Sequence, residues 1–429
     1  MKKYLIIGCL FLSIFPQIKA QISSDGSIYS RYGLGELNHF QSSQSQAMGG
    51  AGIALGTPTY LSAANPANWS NQVLTRFSAN YRLQGNRLSD QNGKTNVLTS
   101  GSVDDVQFGF PIKDRKVGVA FAYQPFSRVG YRVEQSGTLA ASLGQAAENY
   151  VVSYEGSGGI QQFDGGLGVA LTDNLRIGGS ARLYSGVLEN TQRTEFSSDT
   201  YVASANSVLT RMFGLAGNFG MLYQKSFGKD NVKSFALGAT YTTPAALKLR
   251  RNRTLGEGSV VDTLGTAQEG TGKMPSLMTI GAAFRPNEKV LLVADAHLET
   301  WSKFESTLTL GGYTPKSSTF KDTWRIGAGF EYVPAGRNFR ASYSQRMAYR
   351  FGAYTQPSYF SPKADVQLST VALTAGLSFP TQRLFNSIDL NFELGQRGTT
   401  QQNLVKDLFY KATLSLNFGD QWFQRFKIN

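Results

Sequence analysis

The sequence predicts an all-β protein, a transmembrane antiparallel β-barrel of about fourteen strands with an N-terminal hatch in its lumen. Three observations predict it. The chain opens on an export leader, the remainder alternates apolar and polar residues with a period of two, and short turns alternate with longer polar segments.

The leader comes first. Lys2 and Lys3 form a positive start, Tyr4 to Phe15 is apolar, and Ile18-Lys19-Ala20 precedes Gln21. This is the layout of a signal peptide over residues 1–20, cut after the small Ala20. Ile6-Ile7-Gly8-Cys9 looks like a lipoprotein box, but the apolar run continues past Cys9. With Cys9 removed, the mature chain has no thiol or disulfide chemistry. No later run reaches the ~18–20 apolar residues of a spanning helix. Mean hydropathy is −0.23, which a barrel produces because lipid-facing and lumen-facing residues cancel. The 28 Phe, 20 Tyr and 46 Gly suit aromatic girdles and closely packed strands. The formal charge of +13 is spread over turns, loops and inward positions rather than gathered on one face, so nucleic acid is not an expected partner.

The strands follow from alternation. The first sets Phe77, Ala79, Tyr81 and Leu83 against Arg76, Ser78, Asn80 and Arg82. The last sets Tyr410, Ala412, Leu414, Leu416 and Phe418 against Lys411, Thr413, Ser415 and Asn417. Between them, Trp324, Ile326, Ala328 and Phe330 oppose Arg325, Gly327, Gly329 and Glu331, and Phe339, Ala341 and Tyr343 oppose Arg340, Ser342 and Ser344. The expected strands are 73–85, 102–112, 116–136, 158–171, 174–189, 207–227, 232–251, 275–285, 289–300, 322–333, 337–346, 368–380, 384–396 and 407–418. Short turns at 113–116, 172–174, 228–231, 286–288, 334–336 and 380–383 would be periplasmic. The longer segments 86–101, 137–157, 190–206, 252–273, 301–321, 347–367 and 397–405 would be external loops. An even count puts both chain ends in the periplasm, with 73–418 as barrel and 419–429 as a C-terminal tail. Residues 21–72 do not alternate; they read as a hatch inside a polar lumen or as a disordered leader.

Within that segment, Met48-Gly49-Gly50-Ala51-Gly52 and then Asn65-Pro66-Ala67 precede the first strand. Farther on come Met274-Pro275, Ala294-Asp295-Ala296, Trp301-Ser302-Lys303-Phe304 and Asp322-Thr323-Trp324-Arg325-Ile326-Gly327. Together these resemble the FadL/TodX-type transporters of long-chain fatty acids and other hydrophobic compounds, and Arg31-Tyr32-Gly33 resembles the Bacteroidetes version. The resemblance implies a fourteen-stranded barrel, a hatch carrying Met48, Gly49, Gly50, Asn65, Pro66 and Ala67, and a kinked third strand that opens the wall toward the membrane. Pro125 interrupts the expected third strand and lacks the N–H a ladder needs, so a local break is expected there; a harmless bulge is the other reading.

Expected lumen charges are Arg76, Arg82, Arg176, Arg182, Asp295, His297, Glu299, Arg325, Glu331, Arg340, Arg346, Asp389, Glu393 and Lys411. A basic one could hold a ligand carboxylate, whereas most would pair with each other or with the hatch. Asp295, His297 and Glu299 share one side of a strand. With His39 the only other histidine, they suggest neither a metal site nor catalysis, and no cofactor is expected. The expected protein is a monomeric, non-enzymatic outer-membrane channel whose partners are hydrophobic small molecules and membrane lipid. A secretion-associated barrel of similar fold that handles proteins, and a general diffusion porin, are the alternatives.

Overall fold

A computed structural model describes residues 26–422, apart from 40–41, 141–146, 199–200, 229–231, 258–259, 312, 316–319, 339, 364–365 and 382–385. The expected leader and its cut after Ala20 lie outside the described residues. Fourteen antiparallel strands close into a barrel. In chain order they are β1 (Thr75–Ser89), β2 (Thr95–Lys113), β3 (Val117–Leu139), β4 (Glu148–Ala170), β5 (Leu175–Phe196) and β6 (Ser204–Phe227). Two strands are interrupted at prolines. β7 comprises Lys233–Thr242 and Ala245–Glu257, broken beside Pro244, and β8 comprises Gln268–Met274 and Leu277–Arg285, broken at Pro275. Then come β9 (Val290–Glu299), β10 (Thr323–Tyr332), β11 (Ala348–Pro357), β12 (Ser369–Pro380), β13 (Ser387–Arg397) and β14 (Lys406–Asp420). β14 pairs with β1 from Lys406–Ser89 to Asp420–Thr75 and closes the ring.

Period-two alternation decides which side chain meets lipid. On β6, Phe213, Leu215, Phe219, Met221 and Tyr223 are exposed on the outside, whereas Asn218 and Leu222 are buried within. On β13, Ile388, Phe392 and Leu394 point out while Asp389 and Asn391 are buried. Exposing so many large apolar side chains to water would forfeit roughly 1.5–3 kcal/mol each. An apolar outer belt around a polar interior is that of an outer-membrane barrel.

Three expectations change. The segment 337–346 is not a strand: its described residues form a turn and a one-turn helix, Tyr343–Arg346, with Ser342 and Gln345 in a capping box. The strand lies later, because Tyr332 at the end of β10 pairs with Tyr349. Two neighbouring segments alternate, and only the register chooses between them. Arg340 is therefore exposed in a turn, and half-buried Arg346 also lies there rather than on a lumen-facing strand. Second, most of the supposed external loops are strand. β3 to β6 run on for 22 to 24 residues, pairing polar residues beyond the belt where no apolar face reveals them. Third, only the barrel's own ends lie at the periplasmic side. The described N-terminal end is at the outer side, where the Gly26 N–H donates to Gly130 O at 2.8 Å, and the Ser27 hydroxyl donates to Asp407 at 2.6 Å.

From there the described residues of 26–72 descend through the lumen to β1. Their upper part meets an aromatic cluster in which Tyr29 and Leu34 join Trp301, Phe304, Phe320, Tyr359 and Phe360, all buried. The Trp301 and Tyr359 rings lie 4.4 Å apart, and those of Tyr32 and Phe360 4.7 Å. This cluster places the protein's own side chains in the outer half of the barrel.

Candidate functional site

The lower half of the lumen is built to hold the N-terminal segment. Asn65 Oδ1 accepts from the Ala67 N–H at 3.0 Å, and its Nδ2 donates to Ile53 O at 2.9 Å and Met221 O at 3.2 Å. Pro66 begins a 3-10 turn through Asn71. That turn rests on inward glycines of four successive strands. A Cβ at Gly118 would strike the Trp69 carbonyl, at Gly168 and Gly178 the Pro66 backbone, and at Gly220 the Asn65 side chain. Met48 is fully buried. Gly49 and Gly50 follow it at φ of +72° and +75°, a conformation suited to glycine, and a Cβ on Gly49 would meet the Ala328 and Ala353 carbonyls.

Buried charges tie the same segment to the wall. Asp295 accepts from the backbone N–H groups of Gly52 at 2.7 Å and Ile53 at 2.8 Å. Ser43 donates to Asp389 at 2.7 Å, and Gln44 to Glu331 at 2.9 Å. Arg350, 1% exposed, links Glu331 at 2.8 Å and Asp389 at 3.4 Å and donates to the Tyr60 hydroxyl at 2.7 Å. Isolated buried charges are costly, so this closed network is what permits them. The column Asp295, His297, Glu299 is thereby accounted for. Asp295 holds the segment, His297 pairs with Thr279 at 3.0 Å, and Glu299 meets His39 at 3.4 Å and Trp301 at 2.5 Å. Among the described residues no group of three or more His, Cys, Asp and Glu side chains is placed to hold a metal ion.

The ladder between β2 and β3 is incomplete. β2 and β3 pair only from Lys113–Val117 up to Val106–Tyr123. Above that pair, among the described residues, they part. β2 stays with β1 as far as Thr95, and β3 stays with β4 as far as Leu139. Pro125 lies two residues past the last pair, at a register shift between Pro125 and Ser127 in the β3–β4 ladder. The N-terminal segment lines this edge: Glu36 and Leu37 pair with Arg128 and Ser127, and Asn38 Nδ2 donates to Pro125 O at 3.0 Å. Just below, a bulge opposite Asn80 and Tyr81 turns both Asp104 and Asp105 inward, each 0% exposed.

Behind the opening lies a cavity of about 470 Å³. Val103, Tyr123, Pro125, Val129, Phe360 and Phe409 supply apolar wall. Five cations also line it, and four are matched: Arg82 and Arg128 with Asp104 at 3.1 and 3.2 Å, Arg397 with Glu36 at 2.9 Å, and Lys411 with Glu393 at 3.0 Å. Burial disfavours the Glu36 carboxylate, but Arg397, Lys411 and Arg82 together outweigh this and hold its pKa down at about 2. Arg325 is the fifth. Its guanidinium lies 3.7 Å from the Tyr354 ring centre and donates to Gly49 O at 3.3 Å, with no carboxylate within 4 Å among the described residues.

No curated protein matches the chain at significant similarity. Among solved structures, it is similar to the CymD monoaromatic hydrocarbon channel at 14% identity, covering 92% of this chain and 100% of that one, with a TM-score of 0.55. The Ralstonia pickettii toluene transporter TbuX is similar at 16% identity, with 88% and 98% covered and a TM-score of 0.55. A Pseudomonas aeruginosa FadL homologue is similar at 12% identity, with 89% and 98% covered and a TM-score of 0.56. At these identities the likeness is one of fold, the FadL-type barrel. The family model of BamG matches residues 1–429, the entire sequence, and the chain belongs to the BamG family.

Proposed function

We propose that the protein is a passive outer-membrane channel for hydrophobic small molecules, long-chain fatty acids among them, that releases its ligand sideways between β2 and β3. The observation that carries this reading is the half-apolar cavity directly behind the unpaired stretch of wall. An apolar molecule leaving through the wall enters lipid without exposing its surface to water. The hydrocarbon channel and toluene transporter of similar fold lend support. In this reading the residues 26–72 act as the hatch, Arg325 receives an acidic headgroup, and no catalysis, metal or cofactor takes part. Labelled oleate and labelled toluene, offered to cells with and without the gene, test it. Uptake of at least one should fall on deletion; unchanged uptake of both overturns the reading.

A second reading, a barrel that handles secreted protein, is favoured by the parting of β2 from β3 above Val106 and Tyr123, where Glu36 and Leu37 already add to the β3 edge as an extended segment would. An extended polypeptide can add to such an edge. Its mark would be co-purification of a secreted protein that is lost when charged residues are introduced along the β3 edge. A diffusion porin accords poorly with a lumen that holds the N-terminal segment and the aromatic cluster.

A further inference from the structure

Directly above the apolar belt, one sector of the outer wall is crowded with cations. On β6 the outward residue after Leu215 and Phe213 is Arg211, all three exposed. On the adjoining strand β7, Lys248 and Arg250 point outward, and on β8 Lys273 does, again exposed. Register brings them together. Arg211 lies directly opposite Arg250, and Lys248 opposite Phe213; across the next ladder, Lys248 faces Thr271 and Arg250 faces Glu269. Of the four cations only Arg250 is within 4 Å of a carboxylate among the described residues, Glu269 at 3.6 Å. Glu305 lies in register with Lys273 without forming an ion pair. Like charges directly opposite on one sheet face repel, and among the described residues Glu269 meets only Arg250, so the sector keeps excess positive charge that a bound anion would offset.

We propose that this rim binds the phosphate headgroup of an outer-leaflet lipid. The site adjoins the lipid belt: Phe213, Leu215, Met278 and Ile280 continue the same three-strand surface downward. A lipid whose chains lie on those side chains would bring its headgroup to the height of Arg211 and Lys248. Two guanidinium groups can donate in paired fashion to one phosphate, and the lysines add charge at its margin. Each such cation adds to the attraction for an anionic lipid surface, so four convert a nonspecific belt into a preferred lipid position.

The test uses the full-length mature protein in detergent, with lipid A (a diphosphorylated, multiply acylated disaccharide lipid) and its dephosphorylated form as probes, read by native mass spectrometry. Wild type should retain the phosphorylated form preferentially. The variant carrying Arg211→Gln, Lys248→Gln, Arg250→Gln and Lys273→Gln should retain it at least about tenfold less, and Glu269→Gln should retain it more. A variant with Arg211→Lys and Arg250→Lys, which keeps the charge, should retain most of it. Heat-modified migration on gels reports that each variant is a folded barrel. Equal retention by folded wild type and the fourfold variant, or equal retention of the dephosphorylated lipid, would overturn the proposal.

Discussion

Asn65 makes three hydrogen bonds from a fully buried side chain, to Ala67 N–H, Ile53 O and Met221 O. Asn65→Ala leaves two carbonyls and an amide without that partner, at roughly 1–3 kcal/mol. The expected result is a lower thermal midpoint in detergent with the barrel still folded. Arg325 is placed differently, with no carboxylate within 4 Å among the described residues and its guanidinium over the Tyr354 ring. In Arg325→Gln, uptake of oleate should fall by about tenfold, the scale of one charged hydrogen bond, while uptake of neutral toluene should stay near wild type. Equal loss of both would assign Arg325 to structure alone. At this scale the sequence was partly legible. Alternation put Asp295, His297 and Glu299 on one inward face, where all three are buried. It could not show that Asp295 binds backbone amides of residues 52 and 53. It also missed Arg350, which lies in a segment read as an external loop and is strand, and the Asp104–Asp105 pair, which breaks alternation at a bulge.

At the scale of elements, the inward glycines matter most. Gly118, Gly168, Gly178 and Gly220 occupy neighbouring strands and leave room for the turn that Asn65 and Pro66 start. In the sequence each is one glycine in one strand; only strand register assembles them. Gly178→Val places side-chain atoms where the Pro66–Ala67 backbone lies, so the barrel should persist while the N-terminal segment is displaced. In planar bilayers the variant should conduct ions in larger steps than wild type, and identical small currents would refute this seating. The misplaced strand at 337–346 has a physical cause of the same kind. Alternation identifies a strand face but not its partner, and the chain chose Tyr349 opposite Tyr332.

For the whole molecule, barrel class and strand number were legible because the bilayer imposes a period of two and an apolar belt on every strand. The path of residues 26–72 from the outer end to the periplasmic end was not, since it depends on contacts among distant segments such as Gly26 with Gly130. In the proposed function, the parted β2 and β3 make the wall the route for an apolar ligand. A long-chain fatty acid carrying a diazirine near its methyl end tests that route directly, by mapping photo-adducts on wild-type protein in membranes. Adducts at Val103, Tyr123 and Val129, beside the opening, are the predicted result. Adducts confined to the periplasmic side around Leu61 and Trp69 would contradict it.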